Sequence, residues 1–90
     1  MTEEKTEVES LFVYARAVGG STPPLLMNPP PDWTVKFFTK LGQRSLYIKL
    51  PGQVNAYRAS DGSLLDPELT LGQLEMAPYE MIEFRSDSAA

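Results

Sequence analysis

The stretch DGSLLDPELTLGQLEMAPYEMIEF, residues 61–84, predicts a turn, a short apolar segment, a second turn and a closing β-strand. Asp61-Gly62 is a turn pair, because glycine adopts positive φ at no steric cost. Leu64-Leu65 follows as a short edge strand, and Asp66-Pro67 opens a compact turn. The last part, Met81 to Arg85, alternates apolar and charged side chains with the period of a half-buried strand.

Three more strands are predicted upstream of this stretch. Residues 10–18, SLFVYARAV, are rich in β-branched and aromatic types, and Gly19-Gly20 predicts a tight hairpin turn after them. Residues 25–27 form a short return strand, which ends at the prolines of residues 29–31 because proline has no N–H to donate to a sheet. Residues 53–60, QVNAYRAS, form the strand before the Asp-Gly turn.

Residues 32–43, DWTVKFFTKLGQ, fit a helix as well as they fit a strand. In the helical interpretation Asp32 caps the first turn, Phe37, Phe38 and Leu41 share an apolar face, and Gly42 lies near the C-terminus.

In the strand interpretation Trp33, Val35 and Phe37 alternate with polar residues until Phe38 breaks the period. Residues 33–38 and 45–50 would then pair as a hairpin in a small all-β domain. The local pattern leaves both structures open.

The composition excludes several classes of site. Ninety residues are enough for one domain with a single modest core. Without cysteine there is no disulfide or thiolate site, and without histidine the commonest general base and metal ligand are missing. We therefore expect no cofactor, no metal site, no catalytic residue and no enzymatic activity. Carboxylates remain, mostly in predicted turns: Asp32, Asp61, Asp66, Glu68, Glu75, Glu80 and Glu83.

The charge distribution bears on partners and location. The net charge is −4 and the eight basic residues are scattered, so no nucleic-acid partner is expected. No apolar run approaches the roughly 18–20 residues that span a bilayer, so no membrane insertion is expected. The composition of residues 1–9 predicts a disordered acidic tail, and that of residues 86–90 predicts a second disordered tail. The acidic N-terminus and the lack of cysteine are typical of a cytoplasmic protein.

The predicted order of elements resembles that of the ubiquitin-like β-grasp superfamily over about residues 11–85. Thr70-Leu71 stands where the family has a Thr-Leu pair, and Met76 follows at the usual interval. The resemblance implies an α+β fold, in which a mixed four- to five-stranded sheet packs on one helix within a domain of residues 10–85. Its spacing also favours the helix over residues 34–42.

Two departures from the family bear on function. Conjugated and sulfur-carrier members end in Gly-Gly, whereas this chain ends in RSDSAA, so covalent conjugation is not expected. Ubiquitin receptors grip an apolar patch whose matching positions here are Tyr57, Glu83 and Arg85. One of these three is apolar enough to serve, so ordinary ubiquitin receptors are not expected to bind.

One face of the predicted sheet is the candidate for partner binding. If Ile82 and Phe84 face the core, Glu83 and Arg85 face outward, because strand side chains alternate. Aromatic residues and arginine are enriched at the centres of protein interfaces. In a β-grasp sheet the first and third strands both flank the last, so the predicted binding face comprises Phe12, Tyr14, Arg16, Tyr57, Glu83 and Arg85.

The alternatives to a binding face are an ordinary solvated surface, on which Arg16 and Glu83 only set the register, and a slipped register that buries Phe12 and Tyr14. In the first strand the predicted core positions are Leu11, Val13, Ala15 and Ala17. Elsewhere they are Trp33, Phe37, Phe38, Leu41, Leu65, Leu69, Leu71, Ile82 and Phe84.

The resemblance implies three functions, all without catalysis by this chain. The first is a protein-interaction module or adaptor within a larger assembly. The second is a small accessory subunit of a multicomponent enzyme such as a bacterial diiron monooxygenase, in which catalysis and metal belong to another subunit. The third is an accessory protein of type VII secretion. In each case the partner is a protein.

Overall fold

The computed structural model describes residues 11–18, 23–46 and 50–87, and in this part of the chain a mixed four-stranded sheet packs against one helix. The strands are β1 (Val13–Ala17), β2 (Leu25–Met27), β3 (Val54–Arg58) and β4 (Glu80–Ser86), and the helix α1 is Val35–Ser45. A short 3-10 helix, Gly72–Leu74, lies between β3 and β4. The strand order is β2-β1-β4-β3, with β1 parallel to β4 and the other pairs antiparallel.

The N-cap of the helix is Thr34, not Asp32 as the local helical interpretation predicts, and this agrees with the helix over residues 34–42 that the resemblance favours. Thr34 has an extended backbone and its Oγ1 accepts the N–H of Phe37 at 3.1 Å, which satisfies one of the free donors of the first turn. The helix continues to Ser45, three residues past Gly42, so the prediction of an end near Gly42 is also wrong. Because residues 35–45 are helical, the all-β alternative is wrong, and the predicted architecture of a mixed sheet on one helix is confirmed.

The core lies between the helix and the inner side of the sheet. The predicted alternation is confirmed in β1 and β4, where the inward side chains are buried. The apolar residues buried in the core are Val13, Ala15, Ala17, Val35, Phe38, Leu46, Ala56, Leu65, Leu71, Ile82 and Phe84. Leu11 and Trp33 are half-buried and pack against the core, whereas the predicted core residues Leu41 and Leu69 are half-buried outside it.

Phe37 is a correction to the predicted core, because its side chain is 44% exposed. The helix turns Val35, Phe38, Thr39 and Gly42 towards the sheet, the spacing of a single helical face. Phe37 therefore lies to the side, where its ring meets that of Trp33 edge-on at a centroid distance of 4.8 Å.

The segment between β3 and β4, predicted as a turn, an edge strand and a second turn, is attached to the rest of the fold by backbone hydrogen bonds. Leu65 N–H donates to Ala56 O at 2.9 Å, so the predicted edge strand at Leu64-Leu65 is a single bridge to β3. Leu71 N–H donates to Trp33 O at 2.9 Å, which ties the Thr-Leu turn to the start of α1. The connection between β3 and β4 is thereby attached both to the sheet and to the start of the helix.

The last strand and its contacts extend past the predicted domain boundary at residue 85. Ser86 belongs to β4, and Asp87 N–H donates to Gln53 O at 2.9 Å. The predicted tail at residues 1–9, the turn at Gly19-Gly20, and residues 47–49 and 88–90 lie outside the described residues. Within the described ranges, no helix has the length and apolar character needed to cross a membrane.

Candidate interaction surface

The register of the sheet brings five of the six predicted binding residues onto one side, and the sixth, Phe12, lies just ahead of β1. Glu83 is the central position, because it pairs with Arg16 on β1 and with Tyr57 on β3. Tyr14 pairs with Met81 in the row alongside, and Val13 and Ala15 are fully buried on the opposite side. The slipped register is therefore wrong. We name this side the outer sheet face: Phe12, Tyr14, Arg16, Tyr57, Met81, Glu83 and Arg85.

Two arginines cover the carboxylate at the centre of this face. Arg16 Nε donates to Glu83 Oε2 at 3.1 Å, a terminal nitrogen of Arg16 contacts the same oxygen, and Arg85 Nη2 donates to Glu83 Oε1 at 2.9 Å. Glu83 is 7% exposed, whereas the side chains of Arg16 and Arg85 are 46% and 41% exposed. Glu83 points outward as predicted but is buried, so Arg16 and Arg85, the arginine pair, form the accessible surface.

The position of Arg85 is further fixed by Tyr57. The guanidinium carbon lies 4.5 Å from the centre of the Tyr57 ring, within the range of an attractive cation–π contact. Arg85 is thus held by a carboxylate on its own strand and by an aromatic ring on β3. Its Nε is buried without a hydrogen-bond partner among the described residues, so the donors that remain for a binding partner are those of its terminal nitrogens.

The hydrogen bonds from Arg16, followed by those from Arg85, lower the pKa of Glu83 below its ordinary value of 4.5, although burial acts in the opposite direction. The carboxylate is therefore ionised in the folded chain at neutral pH. Because the folded pKa is the lower one, Glu83 stabilises the fold above about pH 4.5, and this contribution is lost as the pH falls through the folded pKa.

We expect Glu83→Gln to lower the free energy of unfolding by about 1 kcal/mol at pH 7, because it removes both half-exposed ion pairs. The difference from the unsubstituted chain should shrink as the pH falls below about 4.5, where the carboxylate of the unfolded chain also becomes protonated. Urea unfolding between pH 3 and 7 measures it. Glu68→Gln is the matched control, since it removes the same charge from an exposed turn residue. A loss that does not change with pH would contradict the ion-pair explanation.

An aromatic cluster, Phe12, Tyr14 and Tyr79, adjoins the arginine pair. The rings of Phe12 and Tyr79 are stacked with centroids 5.9 Å apart and planes at 14°, and the Tyr14 ring lies 6.4 Å from that of Tyr79. Tyr79 N–H donates to Phe12 O at 2.7 Å, which attaches the turn before β4 to the chain just ahead of β1. Tyr79 is nevertheless 57% exposed.

Tyr79 also has an unusual backbone, with φ at 62°. This left-handed region is unfavourable for a bulky side chain, and such residues persist where the surrounding structure holds them. Here Glu80 holds the turn, because its Oε1 accepts the N–H of Ala77 at 2.9 Å and its Oε2 lies 2.9 Å from Arg58 Nε. An exposed aromatic ring is thus presented from a fixed turn.

Sequence reasoning missed Tyr79 and Met81. Met81 could have been predicted from strand alternation, because it lies two residues before Glu83 and therefore on the same side of the sheet as Glu83 and Arg85. Tyr79 follows Pro78 in a segment that predicts only a turn, and nothing in the sequence signals its positive φ or its contact with Phe12.

Four of the seven carboxylates that composition leaves as catalytic candidates have structural partners: Asp61, Asp66, Glu80 and Glu83. Asp61 Oδ1 accepts the N–H of Ser63 at 3.0 Å, and Asp66 Oδ1 accepts that of Glu68 at 2.9 Å, both within exposed turns. Across the described ranges, His, Cys, Asp and Glu form no group of three or more that could hold a metal ion.

No protein-family model matches the sequence, and no curated protein matches it either. Solved structures do match. A chain of a toluene 4-monooxygenase HD complex with the inhibitor 4-bromobenzoate superposes with a TM-score of 0.74 at 11% identity, covering 88% of this chain and 100% of that one. The ubiquitin of Caldiarchaeum subterraneum gives a TM-score of 0.71 at 16% identity, covering 91% and 99%.

A protein designed on the basis of ubiquitin gives a TM-score of 0.68 at 22% identity, covering 90% of this chain and 93% of the design. These likenesses, together with the mixed sheet and single helix, show that the chain has the ubiquitin-like β-grasp fold, as predicted. At such low identities they show the fold alone.

Proposed function

We propose that this chain is a non-catalytic protein-interaction module that binds its partner through the outer sheet face. The observation that carries the proposal is the arrangement of the arginine pair. Two half-exposed guanidinium groups are held at the middle of the sheet by a buried carboxylate and a tyrosine ring. A solvated surface that only sets strand register does not require this degree of order.

The energetics of binding favour such a surface. Immobilising a long side chain at an interface costs about 0.5–1.5 kcal/mol, and here Glu83 and Tyr57 already hold Arg16 and Arg85 in place. Tyrosine and arginine are also the residue types that most often dominate binding energy. The outer sheet face therefore combines suitable residues with preorganisation. The proposed site of action is the cytoplasm, in keeping with the absence of cysteine.

A second candidate is an accessory subunit of a multicomponent enzyme. It is supported by the likeness to a chain of the toluene 4-monooxygenase HD complex, which this chain covers over its entire length. In this case the outer sheet face binds a larger catalytic subunit, and the chemistry and any metal reside there. The two candidates share the binding surface and differ in the partner.

The proposal is tested by quantitative capture of partners from cells of the source organism. Tyr57→Ala combined with Arg85→Ala should reduce recovery of the specific partner at least tenfold, because loss of a hot spot costs about 2 kcal/mol or more. Lys36→Ala combined with Lys40→Ala, on the exposed side of α1, is the matched control and should leave recovery unchanged. Thermal unfolding verifies that both double variants are folded.

Equal losses for the two pairs, or no loss for Tyr57 and Arg85, would overturn the proposal. The identity of the captured proteins separates the two candidates. Oxygenase subunits that co-elute with this chain in size-exclusion chromatography favour the accessory subunit, whereas partners from any other assembly favour the general interaction module.

A further inference from the structure

We infer that the outer sheet face recognises an acidic segment of a partner protein, one that carries a carboxylate close to an apolar side chain. This inference rests on the proposed function and specifies its partner. It follows from three features: the sign of the exposed charge of the face, the exposed Tyr79 ring of the adjoining aromatic cluster, and the distance between this cluster and the arginine pair.

The exposed charge of the face is positive, although the chain as a whole has a net charge of −4. The one carboxylate of the central cluster uses one oxygen for Arg16 and the other for Arg85, and its side chain is 10% exposed. Two guanidinium groups against one carboxylate leave one net positive charge. Each guanidinium carries five donors in a planar fork suited to carboxylates. Glu83 uses Nε and one terminal nitrogen of Arg16 and one terminal nitrogen of Arg85, and Arg85 Nε is buried, so the donors that remain for a partner are on the terminal nitrogens.

The aromatic cluster supplies an apolar contact beside this charge. Tyr79 has a left-handed backbone in a fixed turn, and the residue is 57% exposed. The ring stacks on Phe12 and meets Tyr14, so the three side chains form a fixed apolar surface rather than mobile ones. Leu26, which pairs with Tyr14 from β2, is exposed alongside.

The spacing of the two subsites limits the ligand. Tyr14 and Arg16 are two residues apart on β1 and point to the same side, which places their attachment points roughly 7 Å from each other. A partner that reaches both must present an Asp or Glu and an apolar side chain at about that separation. An extended segment does so with residues i and i+2, and a helix with residues i and i+3 or i+4.

A nucleic acid is the less favoured ligand for the same face. Its phosphates would suit the arginine pair and its bases would stack on tyrosine, but tight binding requires several basic residues along the strand. Here the described outer sheet face offers two, on an acidic chain. We therefore expect an oligonucleotide to bind this face more weakly than an acidic peptide does.

The test is a selection of random 12-residue peptides displayed on phage against the purified full chain. Fluorescence anisotropy of the enriched peptides, with a fluorescein-labelled 12-nucleotide single strand alongside, then measures affinity. The inference predicts peptides with Asp or Glu next to Leu, Phe or Trp, affinity that falls with added salt, and weaker binding of the oligonucleotide. Tyr79→Ala should weaken peptide binding at least tenfold.

The charge is tested by a matched pair of reversals. Arg16→Glu with Arg85→Glu and Lys36→Glu with Lys40→Glu both take the net charge from −4 to −8, the second on α1. The first pair should weaken binding at least tenfold and the second less than twofold. If the first pair does not fold, Arg16→Gln with Arg85→Gln should still weaken binding several-fold, against Lys36→Gln with Lys40→Gln.

Three outcomes would overturn the inference: enriched peptides that are basic or purely apolar, equal effects of the two reversals, and tighter binding of the oligonucleotide. Basic or apolar peptides that still lose binding with Tyr79→Ala would remove the acidic ligand and leave the proposed function standing. A selection that yields no peptide sensitive to any substitution on the outer sheet face counts against both.

Discussion

Phe84→Ala is expected to lower the free energy of unfolding by about 3–5 kcal/mol, the largest effect of any single truncation that we predict. Phe84 is fully buried on β4, between Ala17 of β1 and Ala56 of β3, and its ring lies 5.9 Å from that of Phe38 on α1. Its removal leaves a cavity where the sheet meets the helix, and the alanines alongside are too small to fill it.

Guanidinium chloride unfolding measures this loss. A domain of this length has a total stability of about 5–13 kcal/mol, so the variant should lie near the limit of folding at 37 °C. Phe37→Ala is the matched control, because Phe37 precedes Phe38 in α1 but lies to the side of the buried helix face and is 44% exposed. Its expected cost is at most about 1.5 kcal/mol, from the edge-on contact with Trp33. Equal losses at the two positions would contradict the packing described.

Gly42→Val is expected to destabilise the chain by about 2–3 kcal/mol, although valine is the better helix former. A Cβ at position 42 would lie 2.4 Å from Cζ and 2.6 Å from Cε2 of Phe84, far inside van der Waals contact. Overpacking a dense core costs about 1–3 kcal/mol or more, whereas the gain in helix propensity is about half a kcal/mol. The clash therefore decides the sign.

Denaturant unfolding against Lys40→Val tests this prediction. Lys40 is an exposed residue of the same helix, so its substitution changes helix propensity without a clash, and its expected cost is roughly 0.5 kcal/mol. The Gly42→Val penalty should also shrink in a Phe84→Leu background, because the two changes meet at one contact. A neutral or stabilising Gly42→Val would show that α1 does not approach β4 this closely.

Gly42 illustrates what the sequence can and cannot reveal. A glycine near the end of an apolar helical stretch indicates the C-terminus of a helix. The local pattern cannot show that the ring of Phe84, 42 residues away, occupies the space where a side chain at position 42 would lie. Phe37 is misplaced for a related reason. The helix face is set in part by Thr39, a buried polar residue whose Oγ1 donates to Val35 O at 2.8 Å and which an apolar pattern does not count.

The strands were more predictable than the helix. Side chains of a strand alternate between its two sides, so one known buried residue fixes the direction of all the others. Once Ile82 and Phe84 are placed in the core, the direction of every side chain of β4 follows. The register of the sheet then brings together five of the six predicted residues, all but Phe12. Burial of Glu83 was not predictable, since it depends on two arginines folding over it from different strands. The exposed position of the Tyr79 ring depends on the positive φ of that residue, which no local sequence pattern indicates.

The central claim is that this chain works by contacting other proteins through the outer sheet face. The most direct measurement is site-specific photocrosslinking in cells of the source organism, with p-benzoylphenylalanine in place of Tyr57 on β3 or in place of Lys40 on α1. A discrete covalent adduct of the chain with a second protein from position 57, and none from position 40, is the predicted result. Adducts from position 40 alone, or from neither position, would contradict the claim.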